Sequence, residues 1–191
     1  MDFNRILNGM LRAARLDKSF YEEVEHDASY SQDALGVVIL VSLVGALGGF
    51  IGGLGVGIGA AIGAFVLQVV LGIGGYYLWV FIAHWVGTQF FKGQGDMGEV
   101  QRALGFAYAP RFLNILSFIP CLNVLIGIVA WIWSIAAGFV AIKQSLDQDD
   151  TNAILTMVVS AVVVFVITLV ITIIFAGILG IGAAMTGALS S

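Results

Sequence analysis

Residues 34–86, ALGVVILVSLVGALGGFIGGLGVGIGAAIGAFVLQVVLGIGGYYLWVFIAHWV, decide the fold. Apart from the tyrosines, the only polar side chains in this stretch are Ser42, Gln68 and His84. About 20 helical residues cross the ~30 Å hydrocarbon layer of a bilayer, so the stretch is too long for one crossing. It therefore predicts two membrane-spanning helices joined by a glycine-rich connection.

The composition of the whole chain agrees with a membrane location. The 191 residues are 60% hydrophobic and only 10% charged, with a mean hydropathy of +1.02. A soluble domain of this size could not cover so much apolar surface. Backbone polar groups in lipid need partners within the protein, and no segment alternates as a barrel strand does. The sequence thus predicts an all-α, polytopic membrane protein.

We expect a bundle of five transmembrane helices. The predicted spans lie near residues 34–54, 60–90, 103–119, 123–143 and 153–184, within one transmembrane domain covering 34–184. Residues 1–33 are polar and charged and predict a cytoplasmic segment, while residues 185–191 predict a short tail. Because the front of the chain has no short apolar core, we expect no cleaved secretory signal.

The positions of the charges predict an orientation. All eight lysines and arginines fall on one side of the five-span arrangement, and the opposite side carries none. By the positive-inside rule, the N-terminus is then cytoplasmic and the C-terminus lies outside. The twelve acidic residues fall on the same side, so the net charge of −4 describes a cytoplasmic surface. No nucleic-acid partner is expected.

The first 15 residues predict an amphipathic interfacial helix. At 100° per residue, the apolar side chains fall within an arc of about 160°, with Arg5, Arg12 and Arg15 on the opposite flank. Two placements remain open. The arginines could face anionic lipid in the headgroup zone, or the helix could dock on the protein's own loops or on a partner subunit. The acidic stretch that follows predicts a solvated spacer; its members are Glu22, Glu23, Glu25 and Asp27.

The segment GDMGEV, residues 95–100, predicts the start of a helix. Asp96 followed by Glu99 has the spacing of a capping box, in which each side chain accepts a hydrogen bond from the other residue's backbone N–H. We therefore expect a helix beginning at Met97 and entering the bilayer obliquely.

The segment GFAYAPRF, residues 105–112, places a proline and an arginine inside an apolar stretch. Pro110 cannot donate a backbone hydrogen bond and predicts a kink in the third span. Arg111 has two possible roles. It could be an anchor whose guanidinium snorkels to lipid headgroups, or an ion-paired or lipid-binding residue in a cytoplasm-facing cavity.

Glycine is abundant, with 25 residues in all. Small residues four apart on one helical stripe let two backbones approach closely in lipid. The stripes could serve packing within the bundle, a homo-oligomer seam or a glycine-lined pore. They lack the preceding strand and Lys-Ser/Thr pair of a phosphate-binding loop. Their members are Gly45, Gly49 and Gly53, and then Gly55, Gly59 and Gly63.

Residues 98–144, GEVQRALGFAYAPRFLNILSFIPCLNVLIGIVAWIWSIAAGFVAIKQ, resemble the core of the Yip domain family of multi-pass membrane proteins. The spacing of Tyr108, Pro110 and Pro120 carries the resemblance, together with a Trp-bearing fourth span that ends in Lys. The resemblance covers roughly residues 30–175 and implies five helices with a cytoplasmic N-terminus.

In eukaryotes, the resemblance implies vesicle traffic at ER and Golgi membranes through prenylated small GTPases. This chain has SYSQDALG, residues 29–36, where an Asp-Leu-Tyr-Gly-Pro motif would precede the first span. A small GTPase is therefore not an expected partner. The prokaryotic form is nearer, which favours a bacterial plasma membrane over the ER or Golgi.

Motifs of catalysis or metal binding are not found in the sequence, so we expect no enzymatic activity, no cofactor and no metal. We expect a membrane scaffold or adaptor that recruits or stabilises protein partners or lipids at the cytoplasmic face. The alternative is a small oligomeric transporter or channel that uses the glycine stripes and the broken third helix. The candidate lipid- or partner-binding residues are Arg5, Arg12, Arg15, Arg102, Tyr108, Pro110 and Arg111.

Overall fold

The computed structural model describes residues 3–118 and 123–189, and within these ranges it leaves aside the side chains of residues 117, 118, 123, 172 and 174–189. Every regular element in the described ranges is helical. The elements are α1 (Phe3–Ala14), α2 (Lys18–His26), a 3₁₀ turn (Ala28–Tyr30), α3 (Ser31–Leu54), α4 (Ile58–Phe90), α5 (Met97–Ala107), a 3₁₀ segment (Ala109–Phe118), α6 (Asn123–Ser145) and α7 (Asp150–Leu189).

Within the described residues, four helical stretches are long and apolar enough to cross a membrane. They are Ala28–Leu54, Ile58–Phe90, Val124–Ser145 and Asp150–Ile171. The predicted third span, 103–119, is not among them, because α5 has 11 residues and gives way to the 3₁₀ segment. The all-helical, multi-pass architecture is confirmed, while the fifth crossing stays a prediction.

Pro110 produces a break rather than the predicted kink. The α-helix ends at Ala107, and the backbone N–H of Arg111 then donates to the Tyr108 carbonyl at 3.0 Å, three residues back. Proline disfavours the α conformation in the residue before it, so the chain leaves the α-helix there. The tighter 3₁₀ geometry continues to Phe118.

The capping box is found as predicted. Asp96 accepts from the Glu99 backbone N–H at 2.8 Å, and Glu99 accepts from the Asp96 N–H at 2.7 Å. Helix α5 begins at Met97.

Only some glycines of the two stripes lie where α3 and α4 approach closely. A Cβ on Gly53 would lie 2.6 Å from the Ala61 Cα, and one on Gly49 would lie 3.1 Å from the Gln68 Cγ, so α3 and α4 approach closely at these two positions. A Cβ on Gly55 would meet only its own helix, at the Gly52 carbonyl. The other members have open space around them: Gly45, Gly59 and Gly63.

The large buried side chains gather at one end of the spans. Helices α1, α2 and α5 pack there against the adjoining ends of α3, α4 and α6, and we call this body the cap. In contrast, only 6% of the most apolar 18-residue window of α4 is buried, which leaves its surface for lipid. The largest buried cap residues are Phe20, Tyr21, Tyr76, Phe106, Ile142 and Leu146.

Polar contacts join the helix ends within the cap. The Gln94 backbone N–H donates to the Leu146 carbonyl at 3.0 Å. The buried Gln148 amide donates to the Phe91 carbonyl at 2.9 Å, at the end of α4. A Cβ on Gly95 would fall 1.7 Å from the Ser145 carbonyl oxygen, so only glycine fits at this crossing. The connections from α4 to α5 and from α6 to α7 therefore lie side by side.

Replacing Gly53 with alanine tests the close approach of α3 and α4. Gly53→Ala forces α3 and α4 apart, and overpacking of this kind costs about 1–3 kcal/mol. We expect the melting temperature in mild detergent, measured by circular dichroism, to fall by at least about 3 °C. Gly52→Ala is the matched control, because a Cβ there meets nothing within 4 Å. Equal melting temperatures for the two variants would contradict the packing.

Candidate functional site

Helix α1 is docked on the protein itself. Its buried side carries Ile6, Gly9 and Met10, and a Cβ on Gly9 would lie 2.5 Å from the Phe106 ring of α5. The indole N–H of Trp133 in α6 donates to the Ala14 carbonyl at 2.7 Å. Of the two placements left open by the sequence, docking on its own chain is observed. A stripe of apolar side chains stays exposed on another side of the helix: Phe3, Leu7 and Leu11.

Two of the three arginines in the first 15 residues have carboxylate partners within the chain. Arg5 forms an ion pair with Asp33, which is only 1% exposed, at the start of α3. Arg12 pairs with Asp17 at 3.0 Å and with Glu23 at 2.7 Å. Arg15 is exposed and has no ion pair with a described carboxylate.

These contacts also lower the pKa of a carboxyl group in α2. The Tyr30 hydroxyl and then Arg12 donate to Glu23 and hold the pKa of its carboxyl below the usual value. Arg5 and Arg12, two of the candidate lipid- or partner-binding residues, therefore hold the N-terminal helices in place.

Arg102 of α5 is buried and reaches the end of α2. Its Nε donates to the Val24 carbonyl at 2.8 Å, and another guanidinium nitrogen donates to the Glu25 carbonyl. The last carbonyls of a helix have no partner within that helix, and a cation is favourable at this negative end of the dipole. Arg102 thus caps α2. The stretch between the N-terminal helix and the first span is accordingly folded into the cap, not a solvated spacer.

The Glu25 carboxyl is buried beside other acidic groups. Glu25 is 5% exposed, and its Oε2 has no hydrogen-bond partner among the described residues. Burial raises the pKa of Glu25 to about 7, against the opposing charge of His26, and nearby Asp147, Glu99 and Glu22 raise it further. Acids from α2, α5 and the connection between α6 and α7 therefore lie close together on the outer side of the cap. We call this surface the acidic face.

A cavity of about 280 Å³ lies beneath the cap, between α4, α5, α6 and α7. Arg111 is exposed at this cavity, with its guanidinium 4.3 Å from the centroid of the Tyr108 ring. No described carboxylate forms an ion pair with Arg111. The hydroxyl of Ser134 donates back to its own helix, at the Ala130 carbonyl. Most of the remaining lining is apolar and includes Trp79, Leu104, Trp131, Ile135, Met157 and Ala161.

Six of the seven predicted lipid- or partner-binding residues separate into two groups, and the exposed Arg15 belongs to neither. Tyr108 and Arg111 line the cavity, and the buried Pro110 lies between them. Tyr108 also packs edge-on against Tyr76, at 5.5 Å between ring centroids. Arg5, Arg12 and Arg102 lie in contacts that hold the cap together. Glu25 and the acidic face were not among the predicted site residues, because their proximity depends on three segments that are distant in sequence.

The architecture defines the class: an all-helical integral membrane protein with several spans and a folded cap at one end. Residues 17–173 match the model of the Yip1 domain, and the chain belongs to the Yip1 domain family. Comparisons with curated proteins and with solved structures give no match.

Arg102→Gln tests the capping of α2. Hydrogen bonds from a charged donor contribute about 1.5–3 kcal/mol, so we expect the cap to open about tenfold more often. Chymotrypsin cleavage after the buried Phe20 and Tyr21 reports this opening and should accelerate accordingly. Arg15→Gln is the control and should cleave at the wild-type rate. Equal cleavage of all three proteins would refute the capping role.

Glu25→Gln tests the buried carboxyl. Because folding raises the pKa of Glu25 from 4.5 to about 7, the folded state keeps a proton that the unfolded state releases. The free energy of unfolding should therefore fall as pH rises from about 4.5 to 7. The variant should lose most of this slope in melts recorded across that range. What remains comes from His26, whose pKa the Glu22 carbonyl still raises in this variant.

Glu22→Gln is the control, because it removes an exposed carboxylate from the same helix and should keep most of the slope. A wild-type slope in Glu25→Gln would show that another group dominates the pH dependence.

Proposed function

We propose that this protein is a membrane scaffold or adaptor whose cap faces the cytoplasm and binds a protein partner. The observation that carries the proposal is the construction of the cap. Its short helices are fixed by the ion pair between Arg5 and the buried Asp33 and by Arg102 on the carbonyls of α2. A rigid surface that does not change shape on binding avoids the entropy cost of ordering a flexible tail.

The proposed topology has five crossings. In this topology, the end of α5 and the 3₁₀ segment that follows it make the additional crossing. Lys92, in the connection after α4, and Lys143, in the last turn of α6, belong to the cap end, beside α1 and α2. The positive-inside rule favours the cytoplasm for this end, in a bacterial plasma membrane, with the C-terminus outside.

The acidic face sets the chemistry of the proposed partner. Glu22 and Asp147 are exposed there, around the buried Glu25. The nearest basic groups of α1 are ion-paired elsewhere. His26 lies 3.3 Å from the Glu25 carboxylate and Arg102 donates to the Glu25 carbonyl, so the four acids of this face outnumber these two basic groups. A partner with a basic segment would be both steered and oriented by this field.

We propose binding rather than catalysis or transport as the activity. The cavity beneath the cap is small and largely apolar, and the interior of the described spans offers few polar groups to a solute. Intramembrane ionisable groups usually mark transport routes. Solute flux through liposomes that contain only the purified protein would favour the alternative of a transporter or channel.

A photo-cross-linking side chain at Gln94 tests the proposal in cells. Gln94 is exposed on the cap, and we expect it to capture one protein partner. Neutralising the acidic face with Glu22→Gln and Asp147→Asn should lower the yield at least about fivefold. Lys92→Asn is the control for a change of charge on the cap and should keep the yield.

The same cross-linker at Val56 probes the opposite end, in the exposed turn between α3 and α4. We expect no such product from Val56. An unchanged yield after neutralisation, or the same product from Val56, would contradict binding at the acidic face.

A further inference from the structure

The cavity beneath the cap lies where the apolar spans begin. A Cβ on Gly105 would meet Ala34 at 2.9 Å, so α5 crosses α3 just after Asp33, where the apolar run of α3 starts. On the other side, the Tyr76 hydroxyl donates to the Gln101 carbonyl at 2.6 Å. Tyr108 and Trp79 lie three residues beyond these contacts. Tyr and Trp concentrate at this depth, which is the boundary between lipid headgroups and acyl chains.

Trp131 and Trp133 of α6 lie near the same level. Trp131 lines the cavity, and Trp133 bonds the end of α1, whose Arg5 pairs with Asp33. Helix α1 therefore reaches from the start of α3 to Trp133 of α6, along this boundary. The aromatic residues around the cavity therefore favour a position near the headgroup boundary for its opening.

The cavity combines one cation with an apolar interior. Arg111 is exposed, stacks on Tyr108 and has no ion pair with the carboxylates that the structure describes. A guanidinium next to hydrocarbon is costly without an anion, and its fork of donors matches phosphate. Behind Arg111, the walls are built by Trp131, Ile135 and Met157.

We propose that this cavity binds one glycerophospholipid with a net anionic headgroup. Its phosphate accepts hydrogen bonds from Arg111, and one acyl chain lies against the apolar wall between α6 and α7. The volume of about 280 Å³ suits part of one chain and is too small for a helix of a partner protein. A soluble phosphate ester shares the headgroup chemistry but leaves the apolar wall uncovered. This site is separate from the acidic face and does not depend on a protein partner.

Native mass spectrometry of the full chain in mild detergent tests the site. We expect one phosphatidylglycerol per chain to survive delipidation, with phosphatidylcholine retained about tenfold less. Arg111→Gln should lower phosphatidylglycerol retention about tenfold, and Arg111→Lys should restore part of it. Arg15→Gln is the matched control, since Arg15 is also exposed without a described ion pair, and it should retain the lipid.

A second variant tests the apolar wall without touching the charge. Ala161→Phe places a ring inside the cavity and should reduce phosphatidylglycerol retention while circular dichroism and gel filtration stay unchanged. This variant keeps the proposal testable if Arg111→Gln does not fold.

Three results would overturn the proposal. They are equal retention by wild type, Arg111→Gln and Ala161→Phe, equal retention of phosphatidylcholine and phosphatidylglycerol by the wild type, and displacement of the lipid by millimolar glycerol phosphate. The last result would assign Arg111 to a soluble phosphate ester.

Discussion

The guanidinium of Arg102 on the last carbonyls of α2 is the interaction on which the cap depends. It joins α5 to a helix 77 residues earlier in the chain, between the Arg102 side chain and the Glu25 carbonyl. Because α2 is held there, Glu23 can pair with Arg12, and Phe20 can pack edge-on against Phe106 at 5.0 Å. Helix α1 then has both a charged and an apolar surface on which to dock.

Different forces hold the cap and the membrane spans together. Water drives apolar side chains together in the cap, as in a soluble domain, and its large aromatic residues are buried. Lipid supplies no such drive between spans, so close approach there depends on small residues such as Gly49 and Gly53. This difference explains why the spans are mostly exposed while the cap is packed. The cavity lies at the junction, where the packed cap meets the loosely packed spans.

Much of the fold could be predicted from local patterns. The capping box fixed the start of α5 at Met97, and the length of the apolar stretches gave the helices of the membrane domain. The break at Pro110 was foreseen as a kink, but sequence alone could not say that the tighter 3₁₀ helix would follow. The role of Arg102 could not be predicted either, because its partners are backbone carbonyls and carry no side-chain signal.

The candidate site could also be predicted only in part, because contacts between distant segments leave no local pattern in the sequence. Arg111 is evident because an arginine is rare in an apolar stretch, and Tyr108 because its spacing to Pro110 and Pro120 resembles that of the Yip domain family. The partners of Arg5 and Arg12 were not evident from a helical projection, which displays one helix without its neighbours. Which glycines pack depends likewise on where the facing helix lies, so Gly53 and Gly45 were indistinguishable by spacing.

The account rests most directly on the cap facing the cytoplasm, opposite the turn between α3 and α4. Cysteine accessibility measures this in a Cys121→Ser background, with single cysteines at Gln94 and Val56 and a membrane-impermeant maleimide. The account predicts that Val56→Cys reacts in intact cells and that Gln94→Cys reacts only after permeabilisation. Labelling of both from the same side, or of Gln94→Cys from outside, would contradict it.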